Sequence, residues 1–152
     1  MMRLFLFGYM TAIARSLAVG AVMFAADIDT HALLWVRADP DRLKAETRRI
    51  LADSANEVFA SVVSLWEIVV KCRIGKLEAD IAAIIARMAP ASKIQLLGIT
   101  PHHLVALNSL PFHQQHRDPF DHLIIAGAIC EGMTLVTQDE NAPRYSVQIM
   151  LP

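Results

Sequence analysis

The chain has 152 residues, enough for one domain with a buried core. Hydrophobic residues make up 55% and charged residues 19%, which excludes a disordered chain. The formal net charge of −1 excludes a broad basic surface, so any nucleic-acid contact must be local or rest on bound cations. The two cysteines, Cys72 and Cys130, fall in predicted helices without metal-like spacing. They read as buried free thiols of a reducing compartment.

Arg3 followed by an apolar stretch resembles a signal peptide, with Ala25 and Ala26 placed for cleavage. Arg15 interrupts the apolar run, which argues against a membrane span. Cleavage there would also remove most of the next strand, so export is disfavoured. Met23 stands directly before that strand. Residues 1–21 are therefore expected to be a dispensable extension, or else an extra apolar helix, ahead of a domain over 22–152.

A buried central strand is predicted over 21–28, ending in Asp27, Ile28 and Asp29. A helix follows over 32–37, and Asp39-Pro40 opens a second, to about Ala52. A second strand covers 58–61. Ser64 is placed to cap a helix carrying Trp66 and Glu67, stopping near Gly75. Asp80 caps another, to about Met88. A third strand is expected over 95–99, and Thr100-Pro101 opens a helix to about Ser109.

Residues 117–139 organise the chain. Asp118 is a natural N-cap, Pro119 suits the first helical position, and Asp121 falls at the third. Leu123, Ile124, Ile125, Ala126, Ala128 and Ile129 make that helix apolar around most of its girth, and Gly132 stops it. Residues 134–137 read as a strand covered on both faces, with Asp139 just past its carboxyl end. Residues 148–151 add a final strand. Taken alone, Asp118 and Asp121 are an acidic variant of a capping box, and Asp139 opens a turn. Strands alternate with helices throughout, which predicts an α/β/α sandwich around a mostly parallel sheet of four or five strands.

Right-handed crossovers would place the strand carboxyl ends on one edge. Asp29, Glu67, Asp118, Asp121 and Asp139 would then converge there. Two carboxylates about 5 Å apart at an effective dielectric of about 20 repel by roughly 3 kcal/mol. Such a cluster needs protons or a cation, and oxygen-only ligation favours Mg²⁺ or Mn²⁺. Such ions activate water for in-line attack on a phosphoryl group.

Four segments carry a family resemblance: DTHALLW (29–35), SLWEI (64–68), RDPFDHLIIAGA (117–128) and LVTQD (135–139). In this order and spacing they resemble a PIN-domain ribonuclease of the VapC-like toxin group, over about residues 22–151. The resemblance implies a PIN-like fold and a cytoplasmic, Mg²⁺- or Mn²⁺-dependent endoribonuclease. Its partners would be RNA, a small cognate antitoxin and a second copy of itself in a homodimer, with no membrane. Asp29, Glu67, Asp121 and Asp139 would be catalytic metal ligands. Asp118 would be a further ligand or only the helix cap, and Thr30 and Thr137 would orient ligands or water. One departure is Asp27, where the family usually carries an apolar strand residue. It is either an additional site acid or a costly buried charge.

Other readings are weaker. His113 and His116 flank Asp118, but nothing else suits a zinc site. His102 and His103 read as solvated, and Trp35 and Trp66 as core. Arg37, Lys71, Arg73, Lys76 and Arg117 could meet RNA phosphates, although a solvated charged face is the default. Asp27 and Asp29 as DxD suggest a haloacid-dehalogenase-like phosphatase, yet His31 breaks that pattern. A catalytically weak antitoxin-binding module is the non-enzymatic alternative.

Overall fold

The computed structural model describes residues 25–88 and 93–152. The expectations for residues 1–21, and for a strand start before Ala25, lie outside the described residues. In order, the chain forms β1 (Ala25–Ile28), α1 (Thr30–Ala38), a 3₁₀ turn (Pro40–Arg42), α2 (Ala45–Ala52), β2 (Glu57–Ser61) and α3 (Val62–Arg73). Then come α4 (Ile81–Ala86), β3 (Ile94–Leu97), α5 (Pro101–Asn108), α6 (Pro119–Glu131), β4 (Thr134–Val136), a 3₁₀ turn (Ala142–Arg144) and β5 (Gln148–Met150).

The strands form one sheet in the order β3-β2-β1-β4-β5, and every pairing is parallel. The sheet is thus wholly rather than mostly parallel. Its two faces follow from strand alternation. Ala26, Ile28, Val58, Ala60 and Val136 pack with Leu33 of α1, Leu51 of α2 and Ile68 of α3. Leu135 packs on the opposite face with Leu123, Ile124, Ile125 and Ala128 of α6. The chain runs outward from β1 through β2 to β3, then returns to place β4 on the other side of β1. That reversal opens a crevice beyond the carboxyl ends of β1 and β4, the usual ligand position in such sheets. Among the described residues no helix is long and apolar enough to cross a membrane.

Several local expectations are corrected. The helix predicted from Asp39 to Ala52 is broken at Leu43, which is extended (φ −81°, ψ 142°) and drops into the core. Ser61, not Ser64, caps α3, accepting the Val63 N–H at 3.1 Å, while Ser64 is fully buried one turn further on. The third strand ends at Leu97, before Gly98, rather than at Ile99. Trp66 is 51% exposed and stands edge-on to Phe120 at 4.7 Å, so it is not core. Cys72 and Cys130 are free but only half-buried. His103 is buried rather than solvated, because its ring closes the N-terminus of α5 and bonds Glu131 at 2.9 Å.

Asp27 lies in the middle of β1, beside Phe59 and Leu135, with no exposed surface. Burial first, and the Asp29 charge second, push its carboxyl well above the usual range. The Ser61 backbone N–H offsets this in part, but neither oxygen is hydrogen-bonded. The folded chain therefore holds this proton more tightly than the unfolded chain does. Its favourable contribution is complete below the unfolded carboxylate value of about 3.9 and is lost as pH rises toward the folded value. Replacing Asp27 by Val, which suits a strand and has no polar group, should stabilise the fold by about 1–3 kcal/mol at pH 7. Urea denaturation at pH 5 and pH 7 should also show a flatter pH response. A less stable variant with an unaltered response would contradict this account.

Candidate active site

Each acid of the crevice is delivered by a different structural rule. Asp29 directly follows β1, and its backbone N–H extends the ladder to the Val136 carbonyl at 3.1 Å. Its Oδ1 accepts the Ala32 N–H at 2.7 Å and so caps α1, and the Thr137 hydroxyl bonds the same carboxylate. Glu67, on α3, is 4% exposed. Its Oε2 accepts from the Thr30 hydroxyl at 2.5 Å, and its Oε1 pairs with Lys71 one turn along the helix. A buried carboxylate with both oxygens engaged is held in one orientation.

Asp118 caps α6 through the Phe120 N–H at 2.8 Å and is exposed. Asp121, in the first turn of α6, lies 3.3 Å from His116 Nε2. Asp139 follows β4, its N–H donating to the Thr137 hydroxyl at 3.0 Å. Its Oδ1 accepts the backbone and side-chain N–H groups of Asn141 at 2.9 and 3.1 Å. Its Oδ2 is 3.2 Å from His116 Nε2, inside ion-pair distance but off the N–H axis, and is left buried without a hydrogen bond.

The acids act on one another. Asp29 is raised by burial first, and Glu67 adds to the shift. Asp121 is pushed up to about 6 by burial, with Asp118, Asp139 and Glu67 contributing as neighbouring negative charges. Asp29, Asp121 and Asp139, with His31, Gln138 and Glu140, line a polar cleft of about 460 Å³. An apolar cavity of about 260 Å³ beside α1, α2 and β3 contains no carboxylate and offers no competing chemistry. Crowded carboxylates whose charges raise one another form a donor set that fits a hard divalent cation.

Asp29, Glu67, Asp121 and Asp139 thus come together, with Thr30 and Thr137 bonded to two of them. Asp118 is an electrostatic neighbour that does not line the cleft. Asp27 sits beneath the site, inaccessible. The Arg37 guanidinium donates to the Arg87 carbonyl at 2.9 Å and that of Arg117 to the Gln114 carbonyl at 2.8 Å, and neither residue lines the cleft. Sequence reasoning missed three contributors: His116 as a contact of two acids, Lys71 as the partner of Glu67, and Asn141 as the support of Asp139. Only the Glu67–Lys71 spacing of four residues was a readable signal. A second cluster of His103, Cys130 and Glu131 has ligand-type atoms within 4.8 Å of one another. There the His103 ring already bonds on both sides, to the Thr100 N–H and to Glu131, and needs no ion.

The raised Asp121 carboxyl gives a signed expectation. Its folded value of about 6 exceeds the unfolded value of about 3.9, so its stabilising contribution is lost as pH rises through about 6. In chelator, the melting temperature should rise as pH falls from 7 to 5. Mn²⁺ added at pH 7 should recover the loss, since a ligand of the folded state stabilises it. Asp121→Asn should flatten the pH response. A flat wild-type profile that Mn²⁺ does not move would contradict the electrostatic account.

The sequence matches the PIN domain over residues 28–148. It is 29% identical over 112 residues to Ribonuclease VapC22 of Mycobacterium tuberculosis, covering 74% of this chain and 85% of that protein. The fold is similar to VapBC2 from Rickettsia felis bound to a DNA fragment from its promoter, with a TM-score of 0.64 at 15% identity over 84% of this chain and 98% of that one. It is likewise similar to VapBC-1 from nontypeable Haemophilus influenzae, with a TM-score of 0.60 at 15% identity over 84% and 97% of the two chains. With a match that spans most of its length, from the end of β1 to the start of β5, the chain belongs to the PIN domain family.

Proposed function

We propose that this chain is a Mg²⁺- or Mn²⁺-dependent endoribonuclease and the toxin of a toxin–antitoxin pair. The observation that carries the reading is the convergence of Asp29, Glu67, Asp121 and Asp139 from four separate segments, so that each raises or is raised by another; Asp29, Asp121 and Asp139 line the cleft, and buried Glu67 stands beside them. The name of the relative, Ribonuclease VapC22, supports RNA as the substrate.

Those four carboxylates would hold the ion, with Asp118 adjacent. When bound, a divalent ion supplies charge to the phosphoryl oxygens and a nucleophilic water at neutral pH. The chain's own residues do the rest. Thr30 fixes the Glu67 carboxylate, Thr137 fixes that of Asp29, and Asn141 fixes that of Asp139. Lys71, 34% exposed beside Glu67, offers a cation to a phosphate entering the cleft. A phosphatase reading with Asp27 as nucleophile has no support, because Asp27 is sealed inside the sheet.

Asp29→Asn keeps the shape and helix-capping ability of Asp29 but removes a charge. It should lower RNA cleavage by more than about 100-fold, beyond the effect usual for groups that only support a ligand. Glu67→Gln should behave alike, and Asp118→Asn should be milder. Sequencing of RNA ends made by purified protein, with circular dichroism as the folding control, checks this and names the substrate. The same assay on a chain starting at Met23 should show full activity, as a domain over 22–152 requires. Full cleavage by folded Asp29→Asn protein would sink the mechanism.

The fold similarity to VapBC structures supports a small cognate antitoxin as partner, and the family resemblance adds a homodimer and a cytoplasmic setting. Exposed Trp66, Leu104, Val105 and Phe112 leave apolar surface for such contacts. Co-purification from the native host should recover a small protein in stoichiometric amount. Recovery of the free chain alone would count against the pairing.

A further inference from the structure

We infer that His116 is a positioning residue that clamps Asp121 and Asp139 from behind, an inference that rests on the metal-dependent reading above. His116 lies in the loop between α5 and α6, where its N–H bonds the His113 carbonyl at 3.1 Å. Its ring is 4% exposed and lines no part of the acid cleft. One nitrogen, Nε2, nevertheless reaches two acids from different elements: Asp121 Oδ2 of α6 at 3.3 Å and Asp139 Oδ2 beyond β4 at 3.2 Å. The Asp139 oxygen it approaches is itself buried. The ring therefore meets the Asp139 carboxylate at its buried oxygen and, from outside the cleft lining, also reaches Asp121.

The ring is held in its turn. Nδ1 lies 2.8 Å from the Tyr145 hydroxyl, and that hydroxyl lies 3.1 Å from His122 Nε2. The His122 ring stands perpendicular to that of His116 at 4.7 Å, and Tyr145 packs at 5.5 Å. The tautomers that place a proton on His116 Nε2, facing the two carboxylates, and on His122 Nε2 let the bonds run in one direction. His122 Nε2–H donates to the Tyr145 oxygen, the Tyr145 O–H donates to His116 Nδ1, and His116 Nε2–H donates to Asp121. Burial pushes the Tyr145 hydroxyl above its ordinary value, which favours the O–H this chain requires. A donor fixed in this way offsets repulsion between two carboxylates and sets their separation before an ion arrives. Losing a partner of this kind typically costs roughly 10–100-fold in metal affinity.

The test is titration calorimetry of Mn²⁺ into the metal-stripped full chain, read without RNA. Gln places an amide N–H near the position of Nε2, whereas Asn reaches only that of Nδ1. H116Q should bind Mn²⁺ close to wild type, and H116N should bind roughly 10–100-fold more weakly while still folded. Y145F should fall between them. Wild-type affinity in folded H116N would overturn the clamp. So would equal losses in H116Q and H116N, the pattern of a merely structural role. A nitrogen coupling in the pulsed electron paramagnetic resonance spectrum of bound Mn²⁺ that vanishes in H116Q would make His116 a ligand and overturn it too. Wild-type protein that binds Mn²⁺ but leaves RNA intact would refute the nuclease reading while H116N still decides the clamp.

Discussion

Repulsion between carboxylates is the constraint on which the rest of this structure depends. Asp29, Glu67, Asp121 and Asp139 meet at the crevice where the sheet order reverses, and Asp121 is held at about 6 by burial and by its neighbours. Such a cluster opposes folding, and the surrounding structure offsets it at each acid. Asp29 is stabilised by the Ala32 N–H at the start of α1, Glu67 by Thr30 and Lys71, and Asp139 by Asn141. Asp121 has His116. A cluster with this much like charge beside fixed donors has the donor set that the proposed divalent ion requires.

The acids also serve the backbone. Asp29 and Asp118 are the N-caps of α1 and α6, so the groups that gather charge also begin the helices that flank the cleft. This double duty couples site geometry to helix position. The bland reading of Asp118 as a cap is correct as far as it goes. The reading of Asp29 as a strand-end acid was incomplete, because the helix starts at Thr30, two residues earlier than the apolar pattern indicated.

Asp27 shows the opposite arrangement, a carboxyl of β1 whose burial is offset only in part, by the Ser61 backbone N–H. It shares its face of the strand with Asp29 but lies beneath it, against Leu135 and Phe59. Two residues of displacement along β1 separate an acid that opens onto the cleft from one sealed in the sheet.

What the sequence by itself determined was local. Strand runs of short apolar residues, the Asp118-Pro119 start and the Gly132 stop depend on chain neighbours, and they were legible. That the four acids gather on one edge was legible too, because parallel strands joined by helices must present their carboxyl ends together. The tertiary structure alone decided the contacts across the chain. Thr30 meets Glu67 37 residues away, and His116 meets Tyr145 29 residues away, in pairings that no periodicity encodes. It also decided that Trp66 faces outward and that His103 and Asp27 are buried. Burial is a property of what the rest of the chain packs around a residue, so it emerges only when the sheet and both helical layers close.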